Sequence, residues 1–407
     1  MSDMEALATR SRAASLSLQT ASCKDRNAAL SLIHKALLEN ADKIQQENKA
    51  DIEAATKLAE SGALSQQLVK RLGLSGSKFA DMVHGVKDIE MMDDPVGKTT
   101  LATRLDDGLD LYKVSCPIGV VLIIFEARPE VVVNIAALAL KSGNAVILKG
   151  GKEAAKSNAI LTSIINDALS QSKTISKDAV LLVESRTAID ELLKLDRYID
   201  LVIPRGSNAL VRHVQGSTRI PVLGHADGIC ATYLDEKLDP EMAIRVLIDA
   251  KTSAPSACNS TETLLIHESH ISTPFFGSLV KKLTEAVKTV PNVSAAIAHI
   301  NSHGSHHTDA IISSSKENAE SFMRSVDSAD TFWNCSTRFA DGFRFGFGAE
   351  IGVSTNKTHA RGPVGLEGML IYKFRLYGNG QCTQDYGAGK KSYVHEKLEV
   401  DEAKFQI

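Results

Sequence analysis

The sequence lacks the features that mark several specialised classes of protein. Its six cysteines form no C-x-x-C pair, which argues against a structural zinc site and against a disulfide framework. The balance of 46 basic and 49 acidic residues provides no bulk charge that would attract nucleic acid or an anionic membrane. The longest apolar run, residues 118–125, is too short for a membrane span, and the N-terminus has no apolar signal segment. We therefore expect a cytoplasmic protein with reduced thiols and without nucleic-acid or membrane partners.

The N-terminal part is predicted to be a helical layer followed by a hairpin. Apolar residues recur at helical spacing from Asp25 to about Leu58, with Asp25 as the predicted N-cap. The run Asp106, Asp107 and Gly108 is typical of a turn between two strands. We therefore predict a β-hairpin within residues 101–113.

Strands and helices then alternate in two successive units. Strands that are apolar on both faces and joined by helical crossovers are typical of parallel sheets covered by helices. A helix is also predicted at 273–287, and an extended stretch after Gly362 predicts an exposed strand that needs a partner chain. The predicted fold class is α/β with two parallel-sheet domains. Its strands are predicted at residues 118–125, 145–149, 179–183, 198–203, 229–234 and 262–266.

Two predicted strand ends have the residues to hold phosphate groups. The segment ILKGGKEAAKSN ends a strand at Lys149 and places Lys152 at the start of a helix. The segment VIPRGSNALVRHV starts a helix near Ser207, so that its N–H groups and that of Gly206 can face an anion. Open α/β sheets bind ligands at such strand ends. The alternatives are a solvated lysine pair and an ordinary serine N-cap.

A cysteine stands alone in the segment KTSAPSACNSTETLLIH, residues 251–267. Cys258 lies between the small residue Ala257 and Asn259, on a predicted loop between a helix and a strand. In this setting a thiol can meet backbone N–H groups and a cofactor and act as a nucleophile. A buried structural cysteine is the alternative, because a lone cysteine carries no spacing signature.

Three clustered histidines, at positions 303, 306 and 307, raise the question of a metal site. The H-x-x-H-H pattern lies on a Gly/Ser loop without a nearby group of carboxylates. We therefore predict solvent-exposed histidines and no metal.

The order of these motifs resembles the aldehyde dehydrogenase superfamily. Within it the chain is similar to the γ-glutamyl phosphate reductases over about residues 10–385, in the single-function form without a preceding kinase domain. The resemblance implies an NADPH-binding domain (residues 1–98 and 116–228), a catalytic domain (229–360), and an oligomerisation flap with the C-terminal tail (99–115 and 361–407). The motifs that carry it are FEARPEVVVN, VIPRGSNALV, VLGHADGIC, SACNSTETLL and FGAEIGVSTNKTHARGPVGLEGM.

The resemblance also implies a reaction. An enzyme of this family reduces L-glutamate 5-phosphate with NADPH to L-glutamate 5-semialdehyde and phosphate, as a step of proline biosynthesis. We expect a homodimer or larger homo-oligomer, with functional coupling to a separate glutamate 5-kinase. The residues that match the family's positions are Cys258 for the nucleophile, Lys149 for the adenosine ribose, Lys152 for the 2′-phosphate of NADPH, Gly206 and Ser207 for the pyrophosphate, and Glu350 for the nicotinamide ribose.

Two departures from hydrolytic aldehyde dehydrogenases suggest how the phosphate is handled. Val222 stands where those relatives carry a glutamate that activates water, and Ala127 stands where they carry an asparagine. We therefore expect Arg128 to face the phosphate. Backbone N–H groups near Cys258 and the Asn259 side chain are expected to stabilise the oxyanion.

Other assignments leave alternatives open. Arg338 and Arg361 are candidates for binding the substrate α-carboxylate, and a structural salt bridge is the alternative for each. Two rival functions also remain. One is a phosphate-independent NAD(P) aldehyde dehydrogenase, and the other is a catalytically inactive structural protein on the same fold.

Overall fold

The computed structural model describes residues 2–184, 188–255, 257–282 and 287–406. The chain forms two compact units. The first comprises Met1–Gly206, Val214–Val222 and Gly365–Ile407, and the second comprises Ser207–His213 and Leu223–Val364. None of the helices in the described ranges is both long enough and apolar enough to cross a membrane.

Helices and strands alternate along most of the chain, as the sequence predicts. The helices are α1 (Asp3–Leu18), α2 (Cys23–Glu39), α3 (Ala41–Glu60), α4 (Gln66–Leu72), α5 (Ser77–Met91), α6 (Glu130–Lys141), α7 (Ala155–Leu169), α8 (Ala188–Leu192), α9 (Asn208–Ser217), α10 (Pro240–Thr252), α11 (Pro274–Lys282), α12 (Val293–His303) and α13 (Lys316–Ser325). The strands are β1 (Thr99–Asp106), β2 (Leu109–Pro117), β3 (Val120–Phe125), β4 (Ala145–Lys149), β5 (Val180–Leu182), β6 (Leu201–Arg205), β7 (Cys230–Leu234), β8 (Thr261–His267), β9 (Val287–Val290), β10 (Thr308–Ile312), β11 (Asp330–Trp333), β12 (Gly352–Ser354), β13 (Gly362–Val364), β14 (Leu370–Tyr377) and β15 (Glu396–Lys397).

The predicted N-terminal helical layer is confirmed, but Asp25 is not its N-cap. Ser22 caps α2, and its side chain accepts a hydrogen bond from the Asp25 backbone N–H. The Asp25 carboxylate in turn accepts from the Ser22 backbone N–H at 3.3 Å. This is a capping box, in which the acidic residue belongs at the third helical position. The side-chain hydrogen bond from Ser22 lowers the pKa of Asp25.

The first unit contains a parallel sheet in the order β5-β4-β3-β6. Every residue of β3 and β4 is buried, as expected for strands covered by helices on both faces. All four strands predicted here are present. Their carboxyl ends carry Lys149 and, directly after β6, Gly206.

A second sheet in the first unit is antiparallel, with the order β14-β2-β1-β15. The predicted hairpin is confirmed as β1 and β2. The predicted exposed strand after Gly362 is β14, which pairs with β2 from Leu370 opposite Pro117 to Tyr377 opposite Asp110. Its apolar side chains include Phe374, which is 58% exposed, and Leu376, which is 56% exposed.

The second unit contains a five-stranded parallel sheet in the order β11-β10-β7-β8-β9. The two strands predicted here are confirmed as β7 and β8. The helix predicted at about 273–287 is wrong at its end, because residue 287 belongs to β9 (Val287–Val290). Val287 pairs with Leu264 and Thr289 with Ile266. Residues 283–286 of that prediction lie outside the described residues.

Candidate active site

Cys258 lies half-buried on the turn between α10 and β8, where the sequence predicts a loop. The start of β7 supports this turn, because the Cys230 thiol donates a hydrogen bond to the Cys258 carbonyl at 3.2 Å. Burial raises the pKa of Cys230 well above the ordinary value for a thiol, so its proton is retained. Gly228 lies against the same turn, where a Cβ atom would come within 2.7 Å of the Cys258 Cα. Residue 228 therefore has to be glycine for its backbone to lie this close to the Cys258 turn.

The turn presents backbone donors beside the sulfur. Within the described ranges, no acceptor is hydrogen-bonded to the backbone N–H of Cys258 or of Asn259. The Asn259 side chain is buried, and its amide nitrogen donates to the Ala340 carbonyl at 2.7 Å. One of the two amide hydrogens of Asn259 is thus already hydrogen-bonded. The role of the Asn259 side chain toward an oxyanion stays a prediction.

Two histidines flank the thiol. One ring nitrogen of His225, one of His307 and the Cys258 sulfur all lie within 4.8 Å of one another. The two rings meet edge to face, with centroids 4.8 Å apart. These are the donor atoms that a thiophilic metal ion would use, and the described residues contain no other such group of three.

The prediction of solvent-exposed histidines is wrong for His307, which is fully buried. Its neighbour in the pattern, His303, is exposed at the end of α12. His307 immediately precedes β10, a strand with every residue buried, and this is the local signal that could have indicated its burial. His225 lies inside the motif VLGHADGIC, but nothing in that motif singled it out.

The lysines of the ILKGGKEAAKSN segment stand at the end of β4. The Lys149 side chain is almost fully buried and donates to the Gly150 carbonyl. Lys152 is exposed and has no ion-pair partner among the residues described. The adjacent carboxylate of Glu153 is turned away toward the backbone N–H of Ala127, from which it accepts a hydrogen bond at 2.5 Å. The Lys152 ammonium therefore lies at this strand end with no carboxylate paired to it in the described part of the chain.

Gly206 and Ser207 lie between β6 and α9, as predicted. The Ser207 hydroxyl accepts a hydrogen bond from the Leu210 backbone N–H at 3.4 Å, which is the N-cap alternative left open by the sequence. Gly206 and Ser207 are both exposed. Their role toward a pyrophosphate stays a prediction.

The predicted substrate-binding arginines differ in their partners. Arg128 is exposed, and its guanidinium has no partner among the described residues. Arg338 donates to the Ser253 hydroxyl at 3.2 Å. Burial and then the charge of Arg344 lower the pKa of Arg338, while the nearby Cys258 opposes that shift. Arg338 is thus a cation within electrostatic range of the sulfur.

Arg361 and Glu350 are held by other groups of the second unit. Arg361 forms an ion pair with Asp327 at 3.1 Å, which is the salt-bridge alternative. Hydrogen bonds from Lys357 and Arg361 lower the pKa of Asp327. Glu350 accepts a hydrogen bond from the Gly342 backbone N–H at 3.1 Å. The ligand-binding roles of both residues stay predictions.

Comparisons with known proteins agree with one another. Residues 1–294 match the model of the aldehyde dehydrogenase family. The chain is 48% identical to a probable γ-glutamyl phosphate reductase of Schizosaccharomyces pombe, over 94% of this chain and 95% of that protein. It is 46% identical to the γ-glutamyl phosphate reductase of Acetivibrio thermocellus, over 96% and 97% of the two chains. The crystal structure of γ-glutamyl phosphate reductase from Thermotoga maritima matches with a TM-score of 0.88 at 34% identity, over 94% of this chain and all of that one. The predicted α/β fold class is confirmed.

Proposed function

Because the chain belongs to the aldehyde dehydrogenase family and, within it, to the γ-glutamyl phosphate reductases, we propose that it reduces L-glutamate 5-phosphate to L-glutamate 5-semialdehyde with release of phosphate, using NADPH, in proline biosynthesis. The observation that carries this proposal is the half-buried Cys258 on a turn with two backbone N–H donors that have no acceptor among the described residues. Such a turn can present a nucleophile and stabilise the oxyanion that its attack creates.

Cys258 attacks the acyl carbon of the substrate and forms a thioester as phosphate leaves. The backbone N–H groups of Cys258 and Asn259 stabilise the negative charge that develops on the acyl oxygen. NADPH, when bound, supplies the hydride that reduces the thioester. Collapse of the resulting thiohemiacetal releases the aldehyde and restores the thiolate. Val222 in place of a water-activating glutamate agrees with this route, because an acyl phosphate is already activated.

The residues at the end of β4 fit the phosphorylated form of the cofactor. Lys152 is exposed, and its carboxylate neighbour Glu153 is bound to the loop at Ala127. A lysine attracts a 2′-phosphate, whereas a carboxylate at the same place would repel it. Lys149 is assigned to the adenosine ribose, Gly206 and Ser207 to the pyrophosphate, and Glu350 to the nicotinamide ribose.

For the substrate we assign Arg128 to the phosphate, since its guanidinium has no partner in the described part of the chain. Arg338 is assigned to the α-carboxylate. Arg361 is the weaker candidate for that carboxylate, because its guanidinium already binds Asp327. An arginine suits either anion, because its planar donors match carboxylate and phosphate oxygens.

We further propose a homodimer or larger homo-oligomer in which β14 meets a second copy. Its side chains along the strand are mostly exposed, and an exposed apolar edge strand is a site of pairing between chains. An acyl phosphate must be supplied by a kinase, so coupling to a separate glutamate 5-kinase belongs to the proposal. So does a reducing compartment, the cytoplasm, because the nucleophile must remain a thiol.

The test is the reverse reaction with glutamate semialdehyde and NADP⁺. We expect NADPH to form only when inorganic phosphate is present, because phosphate must cleave the thioester. Oxidation at the same rate without phosphate would instead identify an aldehyde dehydrogenase that makes the free acid. No oxidation under either condition, in a preparation whose Cys258 reacts with iodoacetamide, would favour the inactive alternative.

A further inference from the structure

His307 has an unusual environment for a buried imidazole. Its Nδ1 lies 2.8 Å from the Thr308 hydroxyl oxygen. Its Nε2 is buried and has no hydrogen-bond partner among the described residues. A buried polar atom without a partner is costly and calls for an explanation. The Cys258 sulfur lies within 4.8 Å of a ring nitrogen of this residue.

The neighbours of His307 determine which nitrogen carries the hydrogen. Thr308 donates its single hydroxyl hydrogen to Asp330 at 3.1 Å. The hydroxyl oxygen can then only accept from His307, so the hydrogen of the neutral ring is on Nδ1. Nε2 therefore carries a lone pair.

From this geometry we infer that His307 is a catalytic residue that accepts the proton of the Cys258 thiol at Nε2. Asp330 stabilises the imidazolium through Thr308. Cys258 is thus the nucleophile, His307 the base and Asp330 the orienting group. A ring nitrogen of His307 lies within 4.8 Å of the sulfur, and a side-chain rotation or one water molecule would bring Nε2 and the thiol into contact, since such contacts are often long before substrate binds.

The second histidine at the sulfur is differently placed. His225 is half-buried, and its Nδ1 donates to the Val353 carbonyl at 3.1 Å. A neutral carbonyl stabilises a positive ring less than a carboxylate does, and the Asp330 carboxylate lies behind Thr308 at His307. We therefore assign the proton transfer to His307 and not to His225.

The proton balance of the proposed reaction supports this role, so the inference rests on the proposed function. The thiol proton moves to His307 as the sulfur–carbon bond forms. The carbon–oxygen bond to phosphate breaks, and the departing phosphate takes the proton from the imidazolium. After hydride reduction the carbon–sulfur bond breaks, and the released thiolate regains a proton from solvent through His307. One proton is consumed in each turnover, as reduction of an acyl phosphate to an aldehyde requires.

The test is the rate at which iodoacetamide alkylates Cys258, followed by mass spectrometry of its peptide between pH 5.5 and 9. We expect His307→Ala to react at least about 10-fold more slowly at pH 7 and to lose about 100-fold or more in turnover. His303→Ala is the matched control, since this exposed histidine of the same segment should leave both rates unchanged. Alkylation of His307→Ala at the wild-type rate would overturn the inference.

Alkylation needs neither substrate nor cofactor, so it separates the two proposals. If the wild-type protein failed to reduce glutamate 5-phosphate but His307→Ala still slowed alkylation, only the proposed function would fall. His225→Ala is compared in the same assay. A loss of reactivity in His225→Ala without one in His307→Ala would make His225 the base and refute the assignment.

A second pair of variants tests the inference independently, in case His307→Ala does not fold. Thr308→Val keeps the side-chain volume and removes the hydroxyl that holds the Nδ1 hydrogen, whereas Thr308→Ser keeps the hydroxyl. We expect the valine variant to alkylate several-fold more slowly and the serine variant to retain the wild-type rate and pH profile. Equal rates in the two variants would contradict the tautomer assigned to His307.

Discussion

The thiol of Cys230 donates a hydrogen bond to the backbone carbonyl of Cys258 at 3.2 Å. The first residue of β7 thus supports the turn that carries the reactive sulfur. Gly228, two residues earlier, lies against the same turn with no room for a side chain. The position of the nucleophile therefore depends on the segment that leads into β7.

Replacing Gly228 with alanine should displace the nucleophile. A Cβ there would lie 2.7 Å from the Cys258 Cα and 2.8 Å from its Cβ, so the turn must shift. We expect turnover to fall about 10- to 100-fold and the free energy of unfolding to fall by about 1–3 kcal/mol. Fluorescence of Trp333, the single tryptophan, reports unfolding of the second unit.

Gly277→Ala is the matched control for that substitution. A Cβ at Gly277 meets no atom within 4 Å, and alanine is favoured over glycine in a helix by up to about 1 kcal/mol. Its turnover should equal that of the wild type. If Gly228→Ala and Gly277→Ala were equally active, the close approach at Cys258 would have no catalytic importance.

Cys258→Ala should abolish NADPH-linked turnover, with a loss of at least about 1,000-fold, because no thioester can form. Cofactor binding, measured by NADPH fluorescence, should be unchanged. Cys382→Ala, at an exposed free thiol, should keep full activity. Turnover that persists in Cys258→Ala would end the proposed mechanism.

Lys152→Glu should weaken binding of NADPH far more than binding of NADH. Loss of a charge-assisted contact and introduction of a repelling carboxylate should raise the Kd of NADPH roughly 10- to 100-fold. NADH lacks the 2′-phosphate, so its Kd should change little. Lys173→Glu, an exposed lysine after α7, controls for the change in net charge. Equal losses for both cofactors would exclude a 2′-phosphate contact at Lys152.

Asp309 should make the second unit less stable as the pH rises. Burial raises the pKa of Asp309 to about 6, so the folded state binds more protons than the unfolded state between about pH 4 and pH 6. Stability is lost through that window, by about 3 kcal/mol. Asp309→Asn removes the cost of ionising a buried carboxyl group. The asparagine amide can still form hydrogen bonds with the Ala231 N–H and the Ser328 hydroxyl, which are the present partners of Asp309.

The measurement is urea unfolding followed at Trp333, at pH 4.5 and pH 7. The difference between wild type and Asp309→Asn isolates this residue from Asp330, whose pKa is also raised by burial. We expect the variant to gain stability relative to the wild type as the pH increases. A difference that stays constant with pH would show that Asp309 titrates alike in the folded and unfolded states.

The elements predicted well from sequence are those with strong local patterns. The strand at residues 145–149 is apolar on both faces, and the structure has β4 at the same residues. Helix α1 was missed because its buried face consists largely of small residues such as Ala8 and Ser11, which give little hydrophobic contrast. Strand β9 was missed because it follows α11 closely along the chain, and the helix was predicted to continue to residue 287.

The candidate site was predictable only in part. Cys258 could be placed on a loop because Pro255 and neighbouring polar residues interrupt the helix before it. The burial of His307 had a local signal in the strand that follows it, but its contacts with Asp330 and His225, which are distant in sequence, could not be predicted. Likewise, the ion pair of Arg361 with Asp327 is a tertiary contact without a local signal.

The antiparallel sheet joins segments made at very different times during synthesis. Thr103 of β1 pairs with Lys397 of β15, and β2 pairs with β14. On the ribosome the hairpin emerges early, and the whole second unit is translated before its flanking strands appear. Contacts so distant in sequence form slowly. Nascent chains therefore carry two open hairpin edges until translation ends, which leaves them vulnerable to aggregation and dependent on chaperones in that interval.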